Sequence, residues 1–375
     1  MKIAFVRTAS NILRYGGYNI QEIGLAKALM PYGVSTDVYA RFSNIDDITE
    51  VACDENGNKV MVHPLKGMQI WHELMYYPTL KEDLLNGSYD MVQLLDDSQM
   101  MLPGIFKALK NSGIKTILWQ GMYRNFSGKV ARLMQIVYDA MFAGTLNKYS
   151  DLKIAKTETA KEYLQMKKYE NIIVLPVGLD VVVPERDEKF DKIISEFKAN
   201  HPNLLLYIGA IEARRNPDFL IDIMNNINRE DVGLVIIGKG PLRQSLLERI
   251  AKEGLEDNIL MFESVPNRNL ISVYERANIF LLPTTYEIYG MVVMESLVYG
   301  VPVVSTPEAG PLYLLSDRRY GICETLDIKK WIWAINYYLE NFNSNKDKSE
   351  RIAYVNERFR WPKIAKEYYK IISSM

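Results

Sequence analysis

The sequence is poor in the residues that anchor metals and cross-links. Its 375 residues include two cysteines, Cys53 and Cys323, and three histidines, His63, His72 and His201. Two cysteines so far apart make no disulfide framework, and free thiols in a reducing compartment are expected. The histidines show no metal-ligand spacing, so no zinc centre is expected. Neither sign of charge predominates: 45 Lys and Arg stand against 46 Asp and Glu, for a net charge of −1. Such a balance offers no global field for nucleic acid. No window reaches the run of about 18 apolar residues that a membrane-spanning helix requires. Met1-Lys2 is followed by only four apolar residues before Arg7, too few for a signal-peptide core. The cytoplasm is the expected location.

What the chain does have is the composition of a soluble globular protein, 48% apolar and 24% charged, with a length that favours two domains. Short β-rich runs alternate with helical patterns throughout. In the first half, strands are expected near Ile3–Val6, Thr36–Ala40, Met91–Leu95, Thr116–Trp119, Ile154–Lys156 and Ile172–Leu175. In the second they fall near Leu204–Ile208, Gly233–Ile237, Ile259–Phe262, Ile279–Leu282 and Val301–Ser305. This alternation predicts α/β architecture with parallel sheets covered by helices, and so many strands fit two doubly wound sheets better than one. The uneven spacing disfavours an eightfold barrel. Pro176 to Lys189 is polar and punctuated by Pro and Gly, as linkers are. The charged stretch Asn343 to Glu350 reads as a solvated loop between two late helices.

The segment around Glu287 and Glu295, which are separated by seven residues, is the most informative. A buried strand leads into a polar loop with Glu287 and Gly290, then a helical run with Glu295, then Gly300 and Pro302 and another strand. Ligands of open parallel sheets bind at the carboxyl ends of strands, where loops meet helix N-termini. The N–H groups of Gly290, Met291 and Val292 would be unsatisfied donors there, a seat for phosphate. A carboxylate beside that seat suits sugar or ribose hydroxyls instead. If the whole step were helix, the two carboxylates would stand about 12 Å apart along its axis.

Other loops are read against simpler explanations. Gly16-Gly17 after the first strand is either a tight turn or a place where backbone approaches a ligand. Gly238-Lys239-Gly240 begins like a dinucleotide fingerprint but has Arg243 where its third glycine belongs, so a phosphate- or base-facing loop is preferred. Arg214-Arg215 is either a solvated basic pair or a phosphate contact. Asp97 or Ser98 reads as a helix N-cap. The stripe Val130, Leu133, Met134, Val137, Tyr138, Met141, Phe142, with Arg124, Lys129 and Arg132 nearby, is read first as a core helix. A membrane-facing amphipathic helix is the alternative.

Taken together, these segments resemble the retaining glycosyltransferases of family 4, over nearly the whole chain. The residues Glu287 to Glu295 with Gly300-Val301-Pro302 behind them are similar to that family's Glu-x7-Glu motif. Supporting likenesses are Gly16-Gly17, Leu175 to Asp180, Gly209 to Pro217, Gly238 to Pro241 and Arg358 to Trp361. The resemblance implies the GT-B fold, with two Rossmann-like domains facing a central cleft and a C-terminal helix crossing back. The domains implied are 1–178 for the acceptor, joined by a helix at about 359–375, and 179–358 for the nucleotide-sugar. It implies that Glu287 accepts from a hydroxyl of the transferred sugar and Glu295 from the ribose. The amides of Tyr289, Gly290, Met291 and Val292 would face the diphosphate and the sugar, with Gly17, Arg214 and Gly238 also at the donor.

Three departures from the family are visible. Ala210 stands where many members have Arg, leaving Arg214 or Arg215 to carry the leaving-group charge. Gln120-Gly121 replaces His-Gly, and Gln120 can hydrogen-bond a sugar hydroxyl but carries no proton at neutral pH. Pro311-Leu312-Tyr313 lacks the glutamate that often follows Ala309-Gly310. The expected reaction is hexosyl transfer from a nucleoside diphosphate sugar to a hydroxyl of a saccharide, glycolipid or small molecule, with Glu287, Arg215 and Gln120 at the chemistry. Neither metal nor cofactor is expected, and peripheral contact with the inner face of the plasma membrane stays open. A sugar-nucleotide epimerase or hydrolase on the same fold, or a non-catalytic paralogue that binds a partner glycosyltransferase, is the alternative.

Overall fold

A computed structural model describes residues 1–16, 19–71, 74–342 and 344–375. The chain divides into two compact units, one of Met1–Asp180 with Arg360–Met375 and one of Val181–Phe359. Unit 1 opens with β1 (Lys2–Val6), α1 (Gln21–Leu29), β2 (Ser35–Ala40), β3 (Thr49–Cys53) and β4 (Lys59–Pro64). The hairpin strands β5 (Met68–Trp71) and β6 (Leu74–Tyr76) follow, then α2 (Leu80–Asn86) and β7 (Met91–Leu95). Next come α3 (Leu102–Asn111), β8 (Lys115–Gln120), α4 (Lys129–Tyr149), β9 (Leu152–Ala155), α5 (Glu158–Met166) and β10 (Ile172–Val174). Eight of these strands form one sheet in the order β10-β9-β8-β7-β1-β2-β4-β3, parallel except for β3 against β4.

Unit 2 contains α6 (Glu188–Asn200), β11 (Asn203–Ile208), α7 (Pro217–Asn226), β12 (Val232–Ile237), α8 (Arg243–Lys252) and β13 (Ile259–Phe262). It continues with α9 (Ile271–Tyr274), β14 (Ile279–Leu282), α10 (Met291–Val298), β15 (Val303–Ser305) and α11 (Ala309–Leu314). The last elements are β16 (Gly321–Cys323), α12 (Ile328–Glu340) and α13 (Asn345–Arg358). Its sheet is wholly parallel, in the order β13-β12-β11-β14-β15-β16. Strands covered on both faces read as unbroken apolar runs, and every residue of β12 and β14 is buried. After unit 2 the chain re-enters unit 1 as α14 (Trp361–Ser373). Within unit 1, the Tyr368 hydroxyl bonds Gln93 Oε1 of β7 at 2.8 Å.

All eleven expected strands are present, but β3, β4, the β5–β6 hairpin and β16 were not among them. The stretch expected to be a solvated loop at 343–350 is a helix from Asn345 onward. Ser344 caps it, with Asp347 completing a capping box, and its buried residues are Arg351, Tyr354 and Val355. Arg351 is fully buried and donates to three backbone carbonyls, Gly300 at 2.8 Å, Arg319 at 2.7 Å and Phe342 at 2.6 Å. Burial lowers its pKa to about 10, against the pull of Asp347, so it stays charged at neutral pH. Arg351→Met would strand three carbonyls, and since bonds to a charged donor are each worth about 1.5–3 kcal/mol, a loss of about 4 kcal/mol or more is expected. Urea unfolding should show a clearly lower midpoint for unit 2; an unmoved midpoint would contradict this role.

Candidate active site

In unit 2, β11 lies between β12 and β14, so the strand order reverses there. The crevice beyond the carboxyl ends of strands at such a reversal is where open α/β sheets take ligands. The loop leaving β11 carries Arg214 and Arg215, and the loop leaving β14 carries Glu287. Asn216, at φ +46°, donates its Nδ2 to the Pro283 carbonyl at 2.8 Å and ties the two loops together. The Thr285 N–H donates to the Arg214 carbonyl at 2.7 Å.

The two arginines diverge. Arg214 Nη1 donates to the Tyr286 carbonyl at 3.0 Å, and its Nε pairs with Glu212 at 2.6 Å. Arg215 Nη1 donates to Glu287 Oε2 and lies 3.4 Å from Thr284 Oγ1. Only 15% of the Arg215 side chain and 13% of the Glu287 side chain are exposed, so this ion pair is weakly screened. The Arg215 Nε is buried with no acceptor among the described residues. Glu287 Oε1 accepts the Gly290 N–H at 3.0 Å.

That last bond corrects an expectation. The Gly290 N–H is not open to a phosphate, because Glu287 folds back over the first turn of α10 and accepts it. Gly290 reaches this position at φ +83°, a conformation that strains any side-chain-bearing residue. The Met291 and Val292 N–H groups stand in the first turn, where helix geometry supplies no intrahelical acceptor. Tyr289 is buried, and Met291 and Val292 are half-buried.

Glu287 lies in the loop, so an all-helix separation from Glu295 does not apply. Glu295 is on α10 and buried, with the Tyr274 hydroxyl of α9 donating to its Oε2 at 3.5 Å. Burial, reinforced by the Glu295 charge, pushes the Tyr274 pKa well above its ordinary value. Tyr274 escaped notice in the sequence because nothing local marks it. Gly238 has a packing reason for being glycine: a Cβ there would overlap the Gly209 carbonyl. The Ile211 N–H bonds the Lys239 carbonyl at 2.7 Å, so the loops after β11 and β12 run against each other.

Gln120 ends β8 in unit 1 and is buried, donating its Nε2 to Met122 O at 3.1 Å and Asp97 Oδ1 at 3.3 Å. Its Oε1 is buried without a partner among the described residues. Neither Asp97 nor Ser98 caps α3, which begins at Leu102 with no side-chain cap. Asp97 is held instead by Lys167 Nζ at 2.8 Å, and Lys167 also reaches Asp139 at 3.1 Å. Burial opposes the Lys167 charge, but Asp97, Tyr163 and Asp139 together outweigh it and the pKa rises. Lys167 stands 70 residues from Asp97 in sequence, so only the fold reveals this contact. Gly17 lies outside the described residues. Among the described residues, no three His, Cys, Asp or Glu side chains gather as a metal-ligand group, and no helix is long and apolar enough to cross a membrane.

Comparison with known proteins bears on this geometry. Residues 188–354 match the family model of glycosyl transferases group 1. An uncharacterized glycosyltransferase of Methanocaldococcus jannaschii is 27% identical over 186 residues, and the match spans 46% of each chain, about half the relative's length. Sucrose-phosphate synthase from Thermosynechococcus elongatus superposes over 100% of both chains with a TM-score of 0.76 at 16% identity. Anabaena Alr3699/HepE, solved in complex with UDP and glucose, does so with a TM-score of 0.71 at 15% identity, again over 100% of each chain. The chain thus has two Rossmann-like α/β domains with parallel sheets that match GT-B structures. The matched segment contains Arg214, Arg215, Gly238, Glu287 and Glu295, whereas Gln120 lies outside it.

Proposed function

We propose that this chain is a retaining glycosyltransferase of family 4 that moves a hexosyl unit from a nucleoside diphosphate sugar to a hydroxyl acceptor. The observation that carries this reading is the meeting of Arg215 and Glu287 at the strand-order reversal of unit 2, beside the N-terminus of α10. A cation and an acceptor carboxylate side by side match the two ends of the bond to be broken. The diphosphate leaves as an anion, and the sugar presents hydroxyls. The complex of Alr3699/HepE with UDP and glucose supports a nucleotide-sugar donor.

In this mechanism Glu287 accepts a hydrogen bond from the transferred sugar. Arg215, with the first-turn amides of Met291 and Val292, stabilises the charge that grows on the diphosphate. Arg214 shapes the loop. No side chain is assigned as a dedicated base, and the leaving phosphate takes the acceptor proton on the same face, which retains the anomeric configuration. Gln120, Gly17 and Gly238 contribute contacts to the sugar or the nucleotide. The reaction proceeds without metal in the cytoplasm, in cell-surface polysaccharide or glycolipid synthesis.

A panel of purified nucleotide sugars tests the reading through slow donor hydrolysis and, with acceptor present, the anomeric configuration by NMR. An inverted product, or loss of turnover in excess chelator, would remove the corresponding part. Glu295 is assigned to the ribose, with Tyr274 orienting its carboxylate. Glu295→Ala should weaken UDP binding about tenfold or more in calorimetry, the loss of one hydrogen bond to a charged group. Unchanged UDP affinity would refute the ribose role.

A further inference from the structure

The apolar stripe of α4 is not a core face. Tyr138 is buried, but Val130, Leu133, Met134, Val137 and Met141 are exposed, Val130 by 66% and Leu133 by 63%. A cavity of about 460 Å³ opens beside them in unit 1, within the range of about 300–1,000 Å³ typical of ligand pockets. Trp71 and Leu74 of the β5–β6 hairpin, Met100, Phe126, and Leu133 and Val137 of α4 form its apolar wall. Ser98 and Gln135 also line it, and both are buried. Gln135 is held in place, accepting the Phe126 N–H at 2.7 Å and donating to the Tyr163 hydroxyl at 2.9 Å.

The position of this cavity matters as much as its lining. Ser98 follows β7, and Phe126 belongs to the loop that follows β8, so the cavity lies at the carboxyl ends of those strands. That is the ligand end of a parallel sheet. Gln120, at the end of β8, bonds the Met122 carbonyl of the same loop. Charge completes the pattern. Along 124–141 the cations are Arg124, Lys129 and Arg132, all exposed, and the single acid, Asp139, is engaged by Lys167. An apolar face bordered by cations is the signature of a helix that lies in an anionic lipid interface. The β5–β6 hairpin, which supplies Trp71 and Leu74 to the cavity, also exposes Met68, Ile70 and Tyr76.

We propose that this face rests on a lipid surface with anionic headgroups and that the cavity receives a hydrocarbon chain from it, so that the acceptor is a membrane-borne amphiphile. This rests on the reading of transfer to a hydroxyl acceptor and names the acceptor's class. Continuity supports the choice of occupant: the exposed side chains of Leu133 and Val137 also line the cavity, so a chain leaving the bilayer crosses no polar gap.

The test is co-sedimentation of the full chain with vesicles of phosphatidylglycerol or phosphatidylcholine, with UDP calorimetry run separately. At low salt, partitioning onto phosphatidylglycerol should exceed that onto phosphatidylcholine by about tenfold or more, as expected of several surface cations. Because both side chains are exposed, the double variant Leu133→Glu with Val137→Glu should fold, lose about tenfold or more of that partitioning through lost apolar insertion, and keep its UDP heat. Phosphatidylglycerol brominated on its chains should quench the fluorescence of Trp71, and Trp71→Phe should remove that component. Equal partitioning onto both vesicles, an unaffected double variant, or vesicle binding without Trp71 quenching would each overturn the inference. A dimer that the double variant splits would also overturn it, by assigning the face to a second copy. UDP binding without vesicle binding would defeat this inference alone, and vesicle binding without UDP binding would defeat the donor reading instead.

Discussion

Glu287→Ala is expected to reduce transfer by about a thousandfold or more, some 4 kcal/mol of transition-state stabilisation. The carboxylate has three jobs in the proposed reaction. It accepts from the sugar, neutralises Arg215, and accepts the Gly290 N–H at 3.0 Å, which sets the entry to α10. Truncation leaves a guanidinium largely buried without its counter-charge, a loss of the kind that costs about 3–5 kcal/mol in protein interiors. Stability and turnover must therefore be read together. Glu287→Gln keeps an acceptor for the Gly290 N–H but, like alanine, strips Arg215 of its counter-charge, so both variants are assayed at a temperature where urea titration shows them folded. A turnover loss near that of alanine in the folded glutamine variant would place the effect in the chemistry. Near-parental turnover in either variant would sink the assignment.

Arg215→Ala is expected to lower kcat by about 10²–10³-fold, the effect of deleting one donor to a developing anion. The effect should fall on kcat more than on KM, because the diphosphate gains charge as the sugar departs. Arg215→Lys should recover part of the rate, since an ammonium keeps the charge but not the planar guanidinium, whose Nη1 reaches both Glu287 and Thr284. Arg214→Ala should cost far less, because its Nε and Nη1 are already engaged by Glu212 and the Tyr286 carbonyl, whereas the Arg215 Nε has no acceptor among the described residues. The reverse ranking would show that Arg214 faces the diphosphate. Single-turnover rates with a committed donor provide the measurement.

The pair of arginines also shows how much of the site was legible beforehand. Adjacent cations in a strand-to-helix loop mark a candidate anion contact, but nothing in their order says which one turns toward Glu287. That choice follows from the 3₁₀ turn over Ala213–Arg215 and the left-handed Asn216 after it, which point successive side chains in different directions. Gly290 teaches a similar lesson. The sequence marks a helix start, and helix starts have free amides, yet a carboxylate three residues earlier folds back and accepts one of them. Helix α13 was hidden for another reason. Its first turns are almost wholly charged, so the apolar period that betrays most helices is confined to its end. In α4 the period was visible, but its meaning was reversed. An amphipathic stripe looks the same whether protein or something else covers it.

The sequence by itself determined the alternation of strands and helices, and with it the parallel sheets, because strands buried on both faces require unbroken apolar runs and helical crossovers between them. It also singled out Glu287 and Glu295, since polar residues flanking a helix start at the end of a buried strand stand out locally. Tertiary structure decided what those residues touch. Arg215 and Glu287 are 72 positions apart and meet because β11 pairs with β14, and Tyr274 reaches Glu295 because α9 packs beside α10. Periodicity is a property of short segments, whereas a buried ion pair depends on which strands become neighbours, and that is set by the packing of the whole domain.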